Sequence, residues 1–506
     1  MGRLERNTLA NLFGAAWSAA IGVLCVPVYI ALMGAEAFGL VGLFVTLQSV
    51  FVIFDLGVAA TLSRELARLD AEGGHARTQR DLAYTLQAVY CLIALLVGAT
   101  VFALAPAVAH HWVRPQTLSA EAVTTCVRMM GAAMAVQFPF AFYQGGLLGL
   151  QRQVYFNALA AAVASLRAGG TLLALRLVGP APETFFAAQI AAGALGTGAA
   201  ALLLWRCLPP RGREACGFRP ELIRRVWRFG AAYAANAVAN MGLLQGDKII
   251  LSTLLPLEMF GYYALAQGVA TGMYAVILSV NGAVFPQLAR LVARERATEL
   301  SEVYHRGSQL MAVLLAPVAV VAALFPREVL FMWTGDQRVV DHAHLVLTLL
   351  VIGMLLHGLI QAPYYLQIAH GWWPNILRTN LILLLLIVPL YVLMARAYGG
   401  SGAASVWIGL NVCYLLTFPL VAHRRFLKRE RGRWLFEDVL LPLAGALCAG
   451  AAARRLVPPS LSRVEALACL CAVGVLAVVA AAAFATRMRG PAFAMLRRRV
   501  EPTGAL

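Results

Sequence analysis

Fourteen mostly apolar stretches, each about 20 residues long, follow one another through this 506-residue chain and leave little sequence between them. They lie near residues 9–33, 38–62, 82–106, 123–147, 157–178, 185–205, 229–254, 260–285, 306–333, 342–368, 377–397, 403–422, 438–454 and 464–486. A helix of about 20 apolar residues crosses about 30 Å of hydrocarbon. Strands are a poor alternative, because the stretches are too long for lipid-facing β-strands and lack alternating polarity. The chain therefore reads as an all-α, polytopic membrane protein with about fourteen transmembrane helices. Its composition agrees: with 61% apolar and 13% charged residues, it has too little polar surface to cover a water-soluble globule.

The formal net charge of +17 raises the question of nucleic acid, and the distribution of that charge answers it. The termini and the loops on their side of the membrane carry 30 Lys and Arg, the opposite loops carry 5, and 6 lie within the apolar stretches. That asymmetry follows the positive-inside rule and puts both termini in the cytoplasm. The clusters Arg211 to Arg228 and Arg424 to Arg433 read as anchors to anionic membrane lipids, not as a nucleic-acid surface. The nine cysteines are scattered, and the closest pair, Cys469 and Cys471, faces different directions on a helix. No metal site, redox pair or cofactor is expected from them.

The chain repeats itself. Leu66-Ala67-Arg68-Leu69 recurs 222 positions later as Leu288-Ala289-Arg290-Leu291, and Phe38-Gly39 recurs at the same spacing as Phe260-Gly261. Each Phe-Gly pair follows a glutamate by two residues, Glu36 and Glu258. Gln137-Phe138-Pro139 has a counterpart in Gln361-Ala362-Pro363, now offset by 224. The expected domains are a six-helix lobe over 1–208, a basic cytoplasmic linker over 209–228 and a second six-helix lobe over 229–422. A basic loop, 423–437, then leads to helices thirteen and fourteen and a cytoplasmic tail, 438–506. Six is even, so the lobes are parallel repeats about an axis along the membrane normal, an arrangement that transporters use for alternating access.

Polar groups inside such helices need a reason. In the seventh stretch Asn236, Asn240 and Asp247 fall within about 40° of one another on a helix. The tenth offers His357, Gln361 and Tyr364, the eighth Gln267, Thr271, Tyr274 and Asn281, and Gln137, Gln144 and Gln151 line up in and just beyond the fourth. Such stripes either line a wet cavity or join helices by hydrogen bonds. Charges discriminate better, since each costs from about 2.5 kcal/mol at a helix centre. Arg167 lies too deep in the fifth stretch to reach an interface and should face a cavity or an anion. Arg128 is a second candidate, whereas Arg176 and Arg396 lie near span ends, where long side chains snorkel. Lys248 points about 100° away from Asp247 and is expected to pair with an acid on another helix. Asp55 reads first as a packing or gate residue. The candidate substrate-binding residues are thus Arg167, Arg128, Lys248, Asn236, Asn240, His357 and Gln361, with Asp247 as the candidate for ion coupling. Guanidinium groups in the first lobe suit an anionic substrate, because they grip phosphate oxygens in pairs.

Several segments resemble the polysaccharide or O-antigen flippases of the multidrug/oligosaccharidyl-lipid/polysaccharide exporter superfamily. They are Gly34-Ala35-Glu36-Ala37-Phe38-Gly39-Leu40, Asp55-Leu56-Gly57 with Arg64-Glu65, Gly149-Leu150-Gln151-Arg152, and Asp247-Lys248-Ile249-Ile250 followed by Phe260-Gly261-Tyr262-Tyr263. The resemblance covers roughly the first 430 residues. It implies a flippase, not an enzyme, that moves a polyprenyl-pyrophosphate-linked oligosaccharide across the cytoplasmic membrane, powered by an ion gradient. Polysaccharide polymerase machinery is the protein partner it implies. A peptidoglycan-precursor flippase and a multidrug extruder are the rival readings within the superfamily, although the arginines argue against a cationic drug. A membrane glycosyltransferase would need an outer domain with catalytic carboxylates, and the longest outer loop, about 107–122, contains one acid, Glu121.

Overall fold

The computed structural model describes residues 3–210, 217–219, 221, 241–458 and 461–487 except 56 and 74, and only the backbone of residues 3–13, 15, 16 and 19. Among these the chain is helical and forms no strand. Ten continuous helical segments are long and apolar enough to cross a membrane. Two of them hold two predicted spans each. The first predicted pair is divided at Gly34 (φ 84°) inside α1 (Arg3–Phe51), and the eleventh and twelfth are divided at Gly399 (φ 60°). Both angles lie in the left-handed region that glycine adopts without a Cβ penalty. The fourth span is broken in two, α4 (Ala120–Gln137) and α5 (Pro139–Gly149), because Pro139 has no N–H to continue the ladder. Most of the seventh lies outside the described residues, and residues 241–254 are its visible end.

Contacts divide the chain into two compact units, residues 1–261 and 262–506. The predicted lobe boundary at 209–228 follows sequence repetition, whereas this division follows packing. Residues 241–261 pack with the first unit: Trp112 Nε1 donates to Ser252 Oγ at 2.9 Å, and Leu257 N–H donates to the Arg114 carbonyl at 3.0 Å.

In the first unit, α2 (Val58–Glu72) buries Leu62, Leu66 and Leu69 against Leu82, Leu86 and Tyr90 of α3 (Ala76–Ala107) and Phe142 and Leu147 of α5. This resolves the repeated Leu-Ala-Arg-Leu. Its leucines, and their counterparts Leu288 and Leu291, are buried, while Arg68 and Arg290 are exposed. Arg68 pairs with Glu65 at 3.0 Å and Glu72 at 2.8 Å, one turn apart on the same helix. Helices α6 (Gln153–Leu177) and α7 (Pro182–Cys207) complete the unit, α6 against α1 and α7 against α4 and α5.

The repeated Phe-Gly marks a close crossing. A Cβ on Gly39 would meet the Leu257 carbonyl oxygen at 2.3 Å, and one on Gly261 would meet the Ala35 carbonyl oxygen at 2.3 Å. Residues 35 and 39 stand to 257 and 261 as equivalent positions of the repeat, so the contact is reciprocal, as a local twofold demands. Phe38 and Phe260 are buried beside it. Glu36, one turn before Gly39, accepts hydrogen bonds from the backbone N–H groups of Gln116 and Thr117 and from the Thr117 hydroxyl, which fixes the loop after α3. Gly39→Ala and Gly261→Ala should each cost about 1–3 kcal/mol through overpacking, read as a lower Tm in detergent. An unchanged Tm in both variants would show that the crossing relaxes freely.

The second unit is organised around α8 (Ala297–Leu324), which packs against α9 (Tyr274–Ala293), α10 (Gln337–Leu359) and both C-terminal helices, α11 (Leu441–Arg454) and α12 (Arg463–Phe484). Glycines permit close packing here too: Gly358 meets Leu315, and Gly450 meets Val320. At the start of α8, His305 is fully buried, with Asp438 Oδ2 at Nδ1 and Glu430 Oε2 at Nε2, the latter at 3.3 Å. Both ring nitrogens therefore face carboxylate side chains inside the second unit. Beside it, His423 Nδ1–H donates to the Pro419 carbonyl at 2.7 Å, so its Nε2 accepts the Tyr304 hydroxyl at 3.1 Å. These contacts and the bonds of Gln309 to Thr486 Oγ1 and Arg487 N–H, both at 3.0 Å, fasten the C-terminal helices to α8.

Candidate functional site

Arg167 lies in the middle of α6, on a helix apolar enough to be surrounded by hydrocarbon wherever protein does not cover it. Its Nε–H donates to Gln189 Oε1 of α7 at 2.8 Å, and Gln189 Nε2 donates onward to Thr171 Oγ1 at 3.1 Å. Gln137, at the Pro139 break, donates to the Gln189 backbone carbonyl at 3.1 Å and accepts from Gln48 Nε2 of α1 at 2.9 Å. Gly193, one turn beyond Gln189, leaves room for the Gln137 side chain: a Cβ there would meet Gln137 Cγ at 2.7 Å. Four helices thus hold one guanidinium in place through amide groups, not through a counter-charge.

No carboxylate among the described residues forms an ion pair with Arg167, and its Nη groups have no hydrogen-bond partner among them. A guanidinium has five N–H donors, and the described residues use one. The rest of the group borders a cavity of about 580 Å³, with Gln137, Gln144, Ser63, Tyr90 and Asp55 also in its wall. Asp55 sits where the second span breaks into a short 3-10 turn, Val52–Asp55, before Gly57 (φ 73°). Its Oδ1 accepts from the Tyr90 hydroxyl at 2.8 Å and from the Ala59 N–H at 3.2 Å, so it holds the broken helix together, as a packing residue would. A second chamber of about 380 Å³ adjoins the first, and Arg167 and Gln48 belong to both walls.

The other sequence candidates fall elsewhere. Arg128 is exposed, with its guanidinium 5.4 Å from the Phe102 ring centre, and does not line the cavity. Arg176 and Arg396 are exposed near helix ends, as expected of snorkelling side chains. Lys248 departs from the expected pairing with another helix: its flexible stem folds back, so that Nζ donates to the Leu244 carbonyl at 2.9 Å and to Asp247 Oδ1 at 3.3 Å. Asp247 is buried. Asn236 and Asn240 lie outside the described residues. Gln151 falls in the turn after α5 with φ 54°, beyond the stripe it was expected to extend.

His357 and Gln361 belong to a polar chain inside the second unit. Asn281 Nδ2 donates to Gln361 Oε1 at 3.4 Å, and Gln361 Nε2 donates to His357 Nε2 at 2.9 Å. His357 Nδ1 then faces Asn411 Oδ1 at 3.1 Å, and Asn411 Nδ2 donates to the Trp407 carbonyl at 2.8 Å. Every link has one donor and one acceptor only if His357 is neutral with its hydrogen on Nδ1. This stripe joins four helices, and the adjoining cavity that Asn281 borders, about 10 Å³, has no room for a ligand.

Gln189 and Gln48, which sequence reasoning did not single out, are as central to the site as Arg167. Gln189 is the only amide side chain in the sixth apolar stretch, and that rarity is the mark by which it could have been found.

Comparison with known proteins agrees with this architecture. A family model described as "Polysaccharide biosynthesis protein" matches residues 4–292. A Shigella flexneri protein named as a candidate O-antigen transporter is 21% identical over 418 residues, covering 79% of this chain and 93% of its own. Among solved structures, the Lipid II flippase MurJ in an inward closed conformation superposes with a TM-score of 0.71 at 11% identity, over 96% of this chain and 99% of that one. An inward-facing multidrug resistance transporter of the MATE family superposes at 0.63 with 15% identity, over 81% and 94%. At such identities these two establish the shared fold.

Proposed function

The chain belongs to the polysaccharide biosynthesis protein family, whose model spans more than half of it, and from that membership we propose that it is a flippase for a polyprenyl-pyrophosphate-linked oligosaccharide. The observation that carries the reading is the Arg167 guanidinium, held by Gln189 beside a cavity inside an apolar unit. A pyrophosphate supplies the acceptor oxygens that the Nη groups need, and two parallel charge-assisted bonds form between them. The amides and hydroxyls around the cavity suit sugar hydroxyls. This chemistry opposes the binding of a lipophilic cation. The likeness to a Lipid II flippase is one of fold, and the family match favours surface polysaccharide over peptidoglycan precursor.

The distribution of basic residues supports a chain in the cytoplasmic membrane with both termini in the cytoplasm. We assign ion coupling to Asp247, a buried carboxylate with Lys248 beside it. The test is reconstitution into vesicles that carry a fluorescent prenyl-pyrophosphate oligosaccharide in both leaflets. The protein should make the inner-leaflet pool accessible to an external quencher. Vesicles with and without protein that behave alike would overturn the reading.

A further inference from the structure

The two chambers that meet at Arg167 differ in their share of polar surface. The larger sets Asp55, Gln137, Gln144 and Tyr90 among apolar side chains such as Val97 and Phe138. The smaller, about 380 Å³, is more nearly apolar, with Ile21, Gly22, Val41, Phe44 and Phe185 in its wall and Ser18, Gln48 and Gln189 as its neutral polar side chains besides Tyr29. Its tyrosine, Tyr29, has its hydroxyl engaged with the Ala168 carbonyl at 3.2 Å, so that it adds ring surface and not a free polar group. The chamber opens at an apolar rim: Val45, which lines it, is 54% exposed, and Leu24, next to the lining Cys25, is 69% exposed. Both volumes fall in the range of small-ligand pockets, roughly 300–1,000 Å³.

We propose that the smaller chamber seats the first isoprene units of the substrate's lipid tail, with the pyrophosphate at Arg167 and the first sugar in the larger chamber. The assignment rests on the flippase reading above and names where each part of that substrate lies. It follows from charge and polarity together. An anion held by Arg167 has beside it one chamber that is nearly all hydrocarbon and a larger one with amide and hydroxyl groups set among its apolar side chains, matching a molecule whose pyrophosphate separates hydrocarbon from sugar. The exposed rim lets the rest of the tail leave without crossing polar groups. A sugar phosphate without a tail would leave the smaller chamber unfilled, and an ordinary phospholipid would leave the larger one without its sugar.

Gly22 gives a clean test, because a Cβ there meets no atom within 4 Å and a larger side chain projects into open space. Gly22→Leu and Gly22→Phe should weaken binding of a polyprenyl pyrophosphate by detergent-solubilised protein progressively, on the order of tenfold or more for phenylalanine, because hydrocarbon contact is lost. Binding of inorganic pyrophosphate should stay within about twofold in both variants, which also shows that they fold. Arg167→Ala should weaken both ligands. If Gly22→Phe leaves polyprenyl pyrophosphate affinity unchanged while the wild type flips its substrate, the tail lies elsewhere and the assignment is overturned with the flippase reading intact. If wild-type protein neither binds polyprenyl pyrophosphate nor flips the lipid-linked sugar, the flippase reading itself fails. If phosphatidic acid binds as tightly as polyprenyl pyrophosphate and is displaced equally by the Gly22 variants, the chamber is a general phospholipid site and the assignment is overturned.

Discussion

Replacing Arg167 with alanine should lower the flipping rate by about 100-fold or more, while the protein still inserts, purifies as wild type and melts within a few degrees of it. The size follows from what is removed. A guanidinium bonded to pyrophosphate contributes two charge-assisted hydrogen bonds, each worth about 1.5–3 kcal/mol, and every 1.4 kcal/mol is about tenfold in an equilibrium. The fold should survive because Arg167 makes its described hydrogen bond to a neutral amide, and Gln189 keeps its bond to Thr171 at 3.1 Å. Arg167→Lys should fall between, since an ammonium restores the charge but not the paired geometry. Equal rates for wild type and Arg167→Ala in reconstituted vesicles would remove the residue from the mechanism.

The largest effect on stability is expected at His305. His305→Ala should cost about 3–5 kcal/mol, because it takes from the buried Asp438 carboxyl the imidazole that faces its Oδ2. Asp438→Ala should be similarly harmful, since it leaves the buried His305 ring with Glu430 alone. Removing both should be milder than the sum, as two apolar side chains replace a pair whose desolvation was itself unfavourable. Thermal melting of the three variants in detergent decides the matter: additive losses would mean that the two groups do not act as a pair. Flipping by the double variant, measured below its Tm, should stay close to wild type, because the pair lies in the second unit and the candidate cavity in the first.

What could be read in advance follows from how bilayers constrain sequence. Apolar runs of about 20 residues are nearly obligatory for a crossing helix, so the spans were legible, and Gly34 and Gly399 fall between predicted spans, whereas the break at Pro139 lies inside a run that reads as one continuous helix. Arg167 was legible for the same reason: a charge so deep is tolerated only beside a cavity or a partner. Arg128 was not, because depth along a helix can be counted, whereas its direction around the axis cannot when the helix is apolar on most sides. Lys248 shows a further limit, since a flexible stem can return to its own helix. The cluster at His305 was invisible because its partners lie 125 and 133 positions away in sequence. His357 and Gln361 were rightly marked as polar, but a stripe alone does not say whether it faces a ligand or another helix.

In the crossing at Gly39 and Gly261, each glycine makes way for the carbonyl that its counterpart's helix offers, so the contact is one surface used twice. A contact of this kind ties two distant stretches of the chain by one and the same step, because residues 35 and 39 meet residues 257 and 261 backbone to backbone. Neither side can be loosened alone: a side chain added at Gly39 presses on Leu257, one added at Gly261 presses on Ala35, and either pushes the same pair of helices apart.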